Sequence, residues 1–287
     1  VQGELKSQSI AVAFIAMGLA QEQLGQTQDA LNAFLKAETV APQSEIVQFF
    51  IGREYLFLAE FKPDQQAELW QKAEAAYLKS IDLNDQYAKA YLGLGSVYIK
   101  QSAAFLNSAI AEDQSVDPRA IQLAEQGIET YQKVLDLKPG PGLGAADQDL
   151  AQLALGNAHQ QKGAILYDQQ DYESALTAFD TAAQILETVR NTLNASIVDH
   201  ESYRRYLVQS DEYLGTVYQW LGSTYGAKLD FDQALPAYQK SIAAFGQCAT
   251  DGKDSPDLII QNDVIKKYCQ PKLAEIQQLY DELKGGN

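Results

Sequence analysis

The sequence has little of what catalytic and metal sites require. Its 287 residues include two Cys, two His and one Met. So few Cys and His cannot build a Cys-rich zinc framework, and they allow few metal or acid–base sites. No Gly-rich phosphate loop follows a strand, and no Ser or Cys lies in a nucleophile-elbow context. We therefore predict a protein that is not an enzyme and that holds no cofactor and no metal.

Basic side chains are also scarce. The chain has 22 Lys and Arg against 38 Asp and Glu, which gives a formal net charge of −16 at pH 7. A surface this acidic repels nucleic-acid backbones and anionic lipid headgroups, because both carry negative phosphates. We therefore expect no nucleic-acid partner. Contacts between copies of the chain should rely on apolar and neutral polar groups, and salt should favour them.

Long apolar runs are missing as well. The best candidate, Ile10–Ala20, is shorter than the roughly 18 apolar residues that a spanning helix needs. No basic segment precedes it, as one would in a signal peptide. Pro is rare, with 8 residues, whereas 46% of the chain is hydrophobic. This composition, rich in the helix formers Ala and Gln, predicts an all-α protein with a sizeable core and no membrane span.

Segments 11–42 and 215–241 share one pattern when they are aligned on Gly18 and Gly222. A bulky residue comes four before the Gly, an Ala twelve after it, and an aromatic residue four after that Ala. The matching pairs are Phe14 and Tyr218, Ala30 and Ala234, and Phe34 and Tyr238. The pattern resembles the tetratricopeptide repeat (TPR), a helical hairpin with a period of about 34 residues.

Partial copies of the pattern occupy the rest of the chain. They carry Gly52, Ala73 and Tyr77, then Gly95, Gly127 and Tyr131, then Gly163, Ala175 and Phe179. The TPR resemblance implies an all-α, TPR-like helical-hairpin solenoid, in which Gly lets two helices approach and an aromatic ring fills the space. It implies one domain, residues 1–287, with about five helix pairs and a closing helix. The pairs are expected near 11–44, 45–86, 87–140, 146–190 and 201–245, and the closing helix at 258–284 with a bend or break near Pro271.

Two repeats are longer than the TPR period. About nine extra residues lie around 60–70 and about twenty around 101–119, and insertions on repeat scaffolds map to loops on one face. We therefore predict a loop at each place. The segment 138–144, with the sequence KPGPGLG, predicts a break between pairs, because Pro and Gly end helices.

The resemblance also implies a concave groove that binds peptides or proteins and is lined by the first helix of each pair. On this face we expect Val12, Ile15, Leu19, Phe49, Arg53, Lys89, Leu92, Gln160 and Gln219. Arg53 and Lys89 are the only basic residues in that set, which argues against a clamp for the carboxylates of a peptide end. A monomeric adaptor with a partner in this groove is one functional prediction.

The chain ends favour a second prediction. Ile10–Ala20 is apolar nearly all round, and such a helix is normally buried on all sides. Its cover would be either the segment Val1–Ser9, folded back, or another copy of the chain. We predict head-to-tail self-assembly into an extracellular fibre or surface assembly. The interfaces would include Ile15, on the exposed side of the first helix, and Ile260, Val264 and Leu279 on the closing helix.

Cys248 and Cys269 flank a polar loop near the end of the chain. A disulfide between them would close a loop of about 22 residues and stabilise the protein by about 3 kcal/mol. The chain opens with Val1, which fits a trimmed start or a cleaved leader. A cleaved leader and a disulfide together predict an extracellular or cell-surface protein, because disulfides persist in oxidising compartments. A periplasmic or cytoplasmic location is the alternative, and two free thiols would favour the cytoplasm.

The remaining candidate residues predict no chemistry. Asp251, Asp254 and Asp257 crowd the loop between the two Cys, but their spacing lacks the EF-hand pattern for calcium. His159 falls at a packing position of its repeat. His200 comes just before an expected helix, where capping or exposure is its predicted role.

Overall fold

The computed structural model describes residues 2–196, 201–253, 255, 257 and 259–285, and these residues form helices and no strand. Ten α-helices form five consecutive pairs: α1 Gln2–Gln23 and α2 Thr27–Val40; α3 Glu45–Phe61 and α4 Gln66–Leu83; α5 Ala88–Glu112 and α6 Arg119–Asp136; α7 Ala145–Asp168 and α8 Tyr172–Ser196; α9 Glu201–Ala227 and α10 Phe231–Asp251. A π-helix, Ile260–Cys269, and α11, Gln270–Gly285, follow. This succession of helix pairs confirms the all-α, TPR-like fold class.

The chain divides into two compact units. One comprises residues 1–101 and 129–148, and the other comprises residues 102–128 and 149–287. In the first unit α2 packs on α3, and in the second α8 packs on α9, so consecutive hairpins stack within each unit. The prediction of a single domain over residues 1–287 stays a prediction.

Each hairpin is built around a glycine on its first helix that touches a ring on its second helix. A Cβ added to Gly18 of α1 would lie 2.5 Å from Cε1 of Phe34. A Cβ added to Gly222 of α9 would lie 2.7 Å from the Tyr238 ring. Side-chain carbons do not approach rings this closely, so the two helices can cross at this distance only where the first carries Gly. The other three hairpins pair Gly52 with Tyr77, Gly95 with Tyr131, and Gly163 with Phe179.

Small hydroxyl side chains complete two of these crossings. Ser80 Oγ, one turn after Tyr77, donates to the carbonyl of Glu45 at 2.8 Å. Ser241 Oγ, one turn after Tyr238, donates to the carbonyl of Gly215 at 2.7 Å. Both Ser side chains are fully buried. Because a buried hydroxyl without a hydrogen bond costs free energy, these two bonds stabilise the crossings.

A left-handed residue ends the first helix of four hairpins. The φ angle is 72° at Gly25, 51° at Asp113, 63° at Gln170 and 60° at Leu229. In each case the next residue donates its N–H to the carbonyl five positions earlier, at 2.8 to 2.9 Å, which is the Schellman motif. In the second hairpin a short 3-10 helix, Pro63–Gln65, makes the connection instead.

The prediction of two insertion loops is wrong. α3 continues to Phe61, and α4 begins at Gln66 after the 3-10 turn, so the first insertion is mostly helical. α5 continues to Glu112, which leaves only residues 113–118 before α6. The segment 101–112 contains neither Pro nor Gly, so its extra residues extend the helix. The predicted break at 138–144 does lie between α6 and α7.

Both ends of the chain also differ from expectation. Residues 2–9 continue α1 toward the N-terminus, so this segment does not fold back over the helix. Near the C-terminus, the single closing helix is replaced by a π-helix that ends at Cys269 and an α-helix that begins at Gln270. The change of helix type lies beside Pro271, where a bend or break was expected.

The glycine contacts predict the effect of single methyl groups on stability. Gly222→Ala should lower the free energy of unfolding by about 1–3 kcal/mol, because the added carbon overlaps the Tyr238 ring in a filled core. The matched control is Gly246→Ala in α10, where an added Cβ meets nothing within 4 Å. It should leave stability unchanged or raise it by up to about 1 kcal/mol, because Ala favours helix. Urea unfolding followed by circular dichroism measures both, and equal effects would contradict the role of the crossing.

Candidate interaction surfaces

The outer face of α1 is an exposed apolar surface. Between residues 10 and 20 every exposed side chain is apolar: Ile10, Val12, Ala13, Ala16, Met17 and Ala20. Val12 is 64% exposed, and Leu24, in the turn after α1, is 73% exposed. Five of these residues follow alternating steps of three and four, and we call them the α1 seam: Ile10, Ala13, Met17, Ala20 and Leu24. This spacing places them in one stripe that fits a second helix.

Two predicted groove residues on α1 face the opposite way. Ile15 and Leu19 are half buried and pack against the core cluster that contains Phe34 and Val47. The expectation that Ile15 lies on the exposed side of the first helix is therefore wrong. Of the predicted α1 set, Val12 is the exposed residue, at 64%.

The predicted groove residues of α3 and α5 have mixed environments. The half-buried ring of Phe49 meets Tyr87 edge-on, with 5.7 Å between centroids. Leu92 is half buried and Lys89 is exposed. Their assignment to a binding groove stays a prediction.

Arg53 lies in an acidic cluster between α1 and α3. It donates to Glu22, and its Nε lies 3.6 Å from Oε1 of Glu54. Glu54 is 3% exposed, and its Oε2 has no hydrogen-bond partner among the described residues. Burial, and then the hydrogen bond and charge of Glu22, raise the pKa of Glu54 to about 8. A cavity of 240 Å³ is lined by Glu22, Thr27, Arg53, Glu54 and Phe57.

In the second unit the predicted groove residues are Gln160 of α7 and Gln219 of α9. Both are half buried, and Oε1 of Gln160 is buried with no hydrogen-bond partner in the described part of the chain. The neighbouring His159 is also half buried. Burial, and then the charge of Lys162, lower the pKa of His159, which favours the neutral packing residue that the sequence predicts.

A groove also runs between the second helices α8 and α10, over α9. Two cavities of 420 and 300 Å³ lie along it and share Glu187, Tyr218 and Lys240. We call this surface the α8–α10 groove. Its floor is Asp211, Leu214, Tyr218, Leu221 and Tyr225; its α8 wall is Asp180, Ala183, Gln184, Glu187, Arg190 and Asn191; and its α10 wall is Gln233, Pro236, Ala237, Lys240, Ala243, Ala244 and Gln247. The TPR resemblance implies binding residues on the first helices of the pairs, so it does not predict this groove.

Arg190 holds two carboxylates at one end of this groove. Its Nε donates to Oδ1 of Asp211, and its Nη2 lies 3.8 Å from Oδ2 of Asp251. Asp211 is 0% exposed. Burial raises the pKa of its carboxyl to about 7; Arg190 lowers this pKa, and the hydrogen bond and charge of Asp251 raise it.

The closing helices turn their apolar side inward. Ile260 is 2% exposed, and Val264 and Leu279 are half buried in the same cluster, which contains Phe245 and Ile276. Ile260 therefore packs in the chain's own core, and its assignment to an interface between copies is wrong. The assignment of Val264 and Leu279 to such an interface stays a prediction. The exposed residues of α11 are mostly polar: Gln270, Pro271, Ala274, Glu275, Gln277, Gln278, Asp281, Glu282, Lys284 and Gly285.

Cys248 of α10 and Cys269 of the π-helix form a disulfide, with their Cα atoms 6.3 Å apart. The bond ties the last hairpin to the closing helices. Of the three Asp between the two Cys, Asp251, the last residue of α10, pairs with Arg190, and Asp257 is half buried. Asp254 lies outside the described residues, as does His200. The described residues contain no group of three or more His, Cys, Asp or Glu that could hold a metal. None of their helices is long and apolar enough to cross a membrane.

The buried carboxylates predict that stability falls as the pH rises. Glu54 and Asp211 have pKa values of about 8 and about 7 in the folded protein. In the unfolded chain such carboxyls have pKa values of about 4, so between about pH 4 and pH 8 the folded state binds more protons and loses stability as the pH rises. Glu54→Gln stays neutral, so it should flatten this dependence and raise the urea midpoint most at the alkaline end.

The control for this experiment is the exposed Glu129→Gln, which should leave the pH dependence as in the wild type. Urea unfolding over the same pH range measures all three proteins. A wild-type stability that rises steadily toward pH 8 would contradict the assignment of Glu54 and Asp211 as neutral buried acids.

The disulfide predicts a second stability effect. Replacing both Cys by Ala should lower the free energy of unfolding by about 3 kcal/mol, because the unfolded chain regains the freedom of a loop of about 21 residues. Dithiothreitol should destabilise the wild type and leave the double variant unchanged. Two free thiols in the unreduced, denatured protein, found by Ellman titration, would show that the bond does not form.

Comparisons with known proteins return structures of low similarity. No family model matches the chain, and no curated protein matches it. The solved structures include MamA, with a TM-score of 0.47 and 15% identity over 85% of this chain and 96% of that chain. PilF of Pseudomonas aeruginosa has a TM-score of 0.43 and 14% identity over 98% of this chain and 95% of its own. A thermophilic TPR protein of Thermus thermophilus has a TM-score of 0.38 and 15% identity over 84% of this chain and 98% of its own. Since these TM-scores are below 0.5, the evidence for the fold is the helix pairs themselves.

Proposed function

We propose that this chain is a non-enzymatic protein-interaction scaffold that pairs with a second copy of itself through the α1 seam. The observation that carries the proposal is the outer face of α1, where every exposed residue from 10 to 20 is apolar. An exposed apolar stripe of this length marks an interaction surface, and a second helix that packs on it removes it from water. The stacked hairpins supply the rigid support that such a contact needs.

Charge favours this face as the place where two copies meet. The chain has a net charge of −16, but residues 7–21, SQSIAVAFIAMGLAQ, include no charged side chain. Two acidic copies can approach here with little local repulsion, and at physiological salt more distant charges are screened beyond about 8 Å. Pairing should therefore strengthen as salt is added.

The seam is also complementary to itself. Large residues alternate with Ala, so two antiparallel copies of α1 can place Met17 against Ala20 and Leu24 against Ala13 of the second copy. Interdigitation of large and small residues is the arrangement that fills a helix interface without voids. Burying a residue the size of Met, Leu or Ile contributes about 1.5–3 kcal/mol, and association costs about 4–15 kcal/mol, so we expect a pair of micromolar affinity.

This pairing replaces head-to-tail assembly into a fibre. Head-to-tail contact needs an apolar surface on the closing helices, and the exposed side of α11 is polar. A contact of α1 with α1 uses the same surface on both copies, so it closes a two-fold pair and does not propagate. We also propose an extracellular or cell-surface location, which the disulfide between Cys248 and Cys269 supports because such bonds persist in oxidising compartments.

Sedimentation equilibrium tests the pairing. The wild type should form a dimer at micromolar concentrations, and Met17→Asp should be monomeric, because a charge at the centre of the seam cannot be buried without a partner. Met17 is 39% exposed, so the variant should keep its helix content and thermal midpoint.

The matched control is Leu229→Asp, which replaces a 76% exposed apolar residue in the turn between α9 and α10. This variant should dimerise as the wild type does. A wild type that stays monomeric across the micromolar range would refute the pairing. Equal loss of the dimer in both variants would place the contact elsewhere.

A further inference from the structure

Three helices of the second compact unit meet at a pair of carboxyl groups. The carboxyls of Asp211 in α9 and Asp251, the last residue of α10, are hydrogen-bonded to each other, and Arg190 of α8 lies beside both. Oδ1 of Asp211 accepts from Arg190, and Oδ1 of Asp251 accepts from Gln247 at 2.7 Å. The Oδ2 of each is buried, and no N–H or hydroxyl group of the described residues donates to it. Because a carboxylate accepts and cannot donate, a hydrogen bond between the two carboxyls needs a proton on one of them.

The charges around this carboxyl pair also call for a proton. Two ionised carboxylates beside the one guanidinium of Arg190 would leave a negative charge in a place where Asp211 is 0% exposed. Like charges in contact do not both ionise readily, so the pair keeps one proton. The other charged groups around the pair are Glu187 and Lys240, which line the same cavity, Arg204, which donates to the main-chain carbonyl of Asp251, and Glu212, whose charge acts on Tyr268 of the π-helix.

The first compact unit contains the same arrangement. The carboxyls of Glu22 in α1 and Glu54 in α3 are hydrogen-bonded, and Arg53 lies beside both. Glu54 is 3% exposed, and no group of the described chain donates to its buried Oε2. This acidic chain therefore joins helices in each unit through two acids, one arginine and a shared proton.

The pair in the second unit lies where α10 meets the closing helices. Cys248 lies one turn before Asp251, and it and Cys269 are 0% exposed. Gly252, directly after Asp251, packs on the π-helix, because an added Cβ would lie 2.4 Å from Cδ1 of Ile265. Movement of the last turn of α10 away from α9 would therefore uncover the disulfide and the apolar side of the π-helix.

We propose that the proton shared by Asp211 and Asp251 holds the last turn of α10 closed over the Cys248–Cys269 disulfide, and that this turn opens locally as the pH rises. In the open state Asp251 turns to solvent and the two carboxyls ionise independently. The proposal goes beyond the scaffold function. It does not depend on pairing through the α1 seam, which lies in the other compact unit.

The direction and size of the effect follow from the number of bound protons. Burial raises the pKa of Asp211 to about 7 in the closed state, whereas a solvated Asp has a pKa of about 4. Between about pH 4 and pH 7 the closed state holds one more proton than the open state, so the opening equilibrium constant should rise about tenfold per pH unit. Above about pH 7 both states have lost this proton, and the constant should level off.

Reduction of the disulfide by a phosphine measures the opening. The phosphine attacks one sulfur, breaks the S–S bond and becomes a phosphine oxide with an oxygen from water, which leaves two thiols. The rate for the native protein is divided by the rate for an unfolded peptide disulfide at the same pH. This ratio should rise about tenfold per unit between about pH 5 and pH 7. A ratio that stays constant over this range would overturn the proposal.

Two variants replace the shared proton by an amide. Asp251→Asn can donate an N–H to the carboxylate of Asp211, so the turn should stay closed and the ratio should no longer depend on pH. Asp211→Asn should have the same effect from the side of α9. The matched control is Asp281→Asn, on the exposed face of α11, which should keep the wild-type slope. A wild-type slope in both of the first two variants would overturn the assignment of the proton.

The Glu54→Gln variant separates local opening from unfolding of the whole chain. It removes the buried acid of the first unit, so it changes the pH dependence of global stability. If the last turn of α10 opens locally, the reduction ratio of this variant should follow the wild-type slope. A smaller slope would show that the reductant reaches the disulfide through global unfolding, and it would overturn the proposal.

Discussion

The contact between a glycine on one helix and an aromatic ring on its partner is the constraint on which the structure depends. All five hairpins contain it: in four of them an added Cβ on the first helix would lie within 2.7 Å of the ring, and at Gly52 it would lie 3.0 Å from Tyr77. Tyr77 contacts Gly52 of its own hairpin and Gly93 of the next, where an added Cβ would lie 2.3 Å from the ring. One side chain therefore sets the distance within a hairpin and between hairpins. The buried hydroxyls of Ser80 and Ser241 fit only because the helices lie so close.

The first and the last described helices present different surfaces. The last hairpin is covered by the π-helix and α11, which bury Ile260 and Ile276 and expose polar residues. On α1, Ile15 and Leu19 face the core, and the opposite face remains apolar and exposed. The exposed side of α11 is mostly polar, whereas the α1 seam gains free energy when it is covered. This difference is the physical reason for placing the contact between copies on α1.

The sequence could predict the hairpins because their determinants are local. A glycine and an aromatic residue 16 positions apart, as in Gly163 and Phe179, indicate a pair, and insertions change that spacing without removing either residue. The secondary structure of the insertion at 101–119 was harder to predict. The lack of Pro and Gly between residues 101 and 112 nevertheless indicates a longer helix. Helical periodicity placed Ile15 and Ile260 on apolar faces, but periodicity does not say whether the chain itself or a partner covers a face. The cluster of Arg190, Asp211 and Asp251 joins three helices, so it follows from packing and has no signature in the sequence.

The most direct test of the account is hydrogen–deuterium exchange of the α1 amides as a function of protein concentration. If the seam is the contact between copies, amides from Ile10 to Ala20 should exchange more slowly as the concentration rises through the micromolar range, while those around Leu229 should not change. A helix that opens locally must first leave its partner, and this adds to the protection of its amides. Exchange in α1 that is independent of concentration would contradict the pairing of copies through this helix.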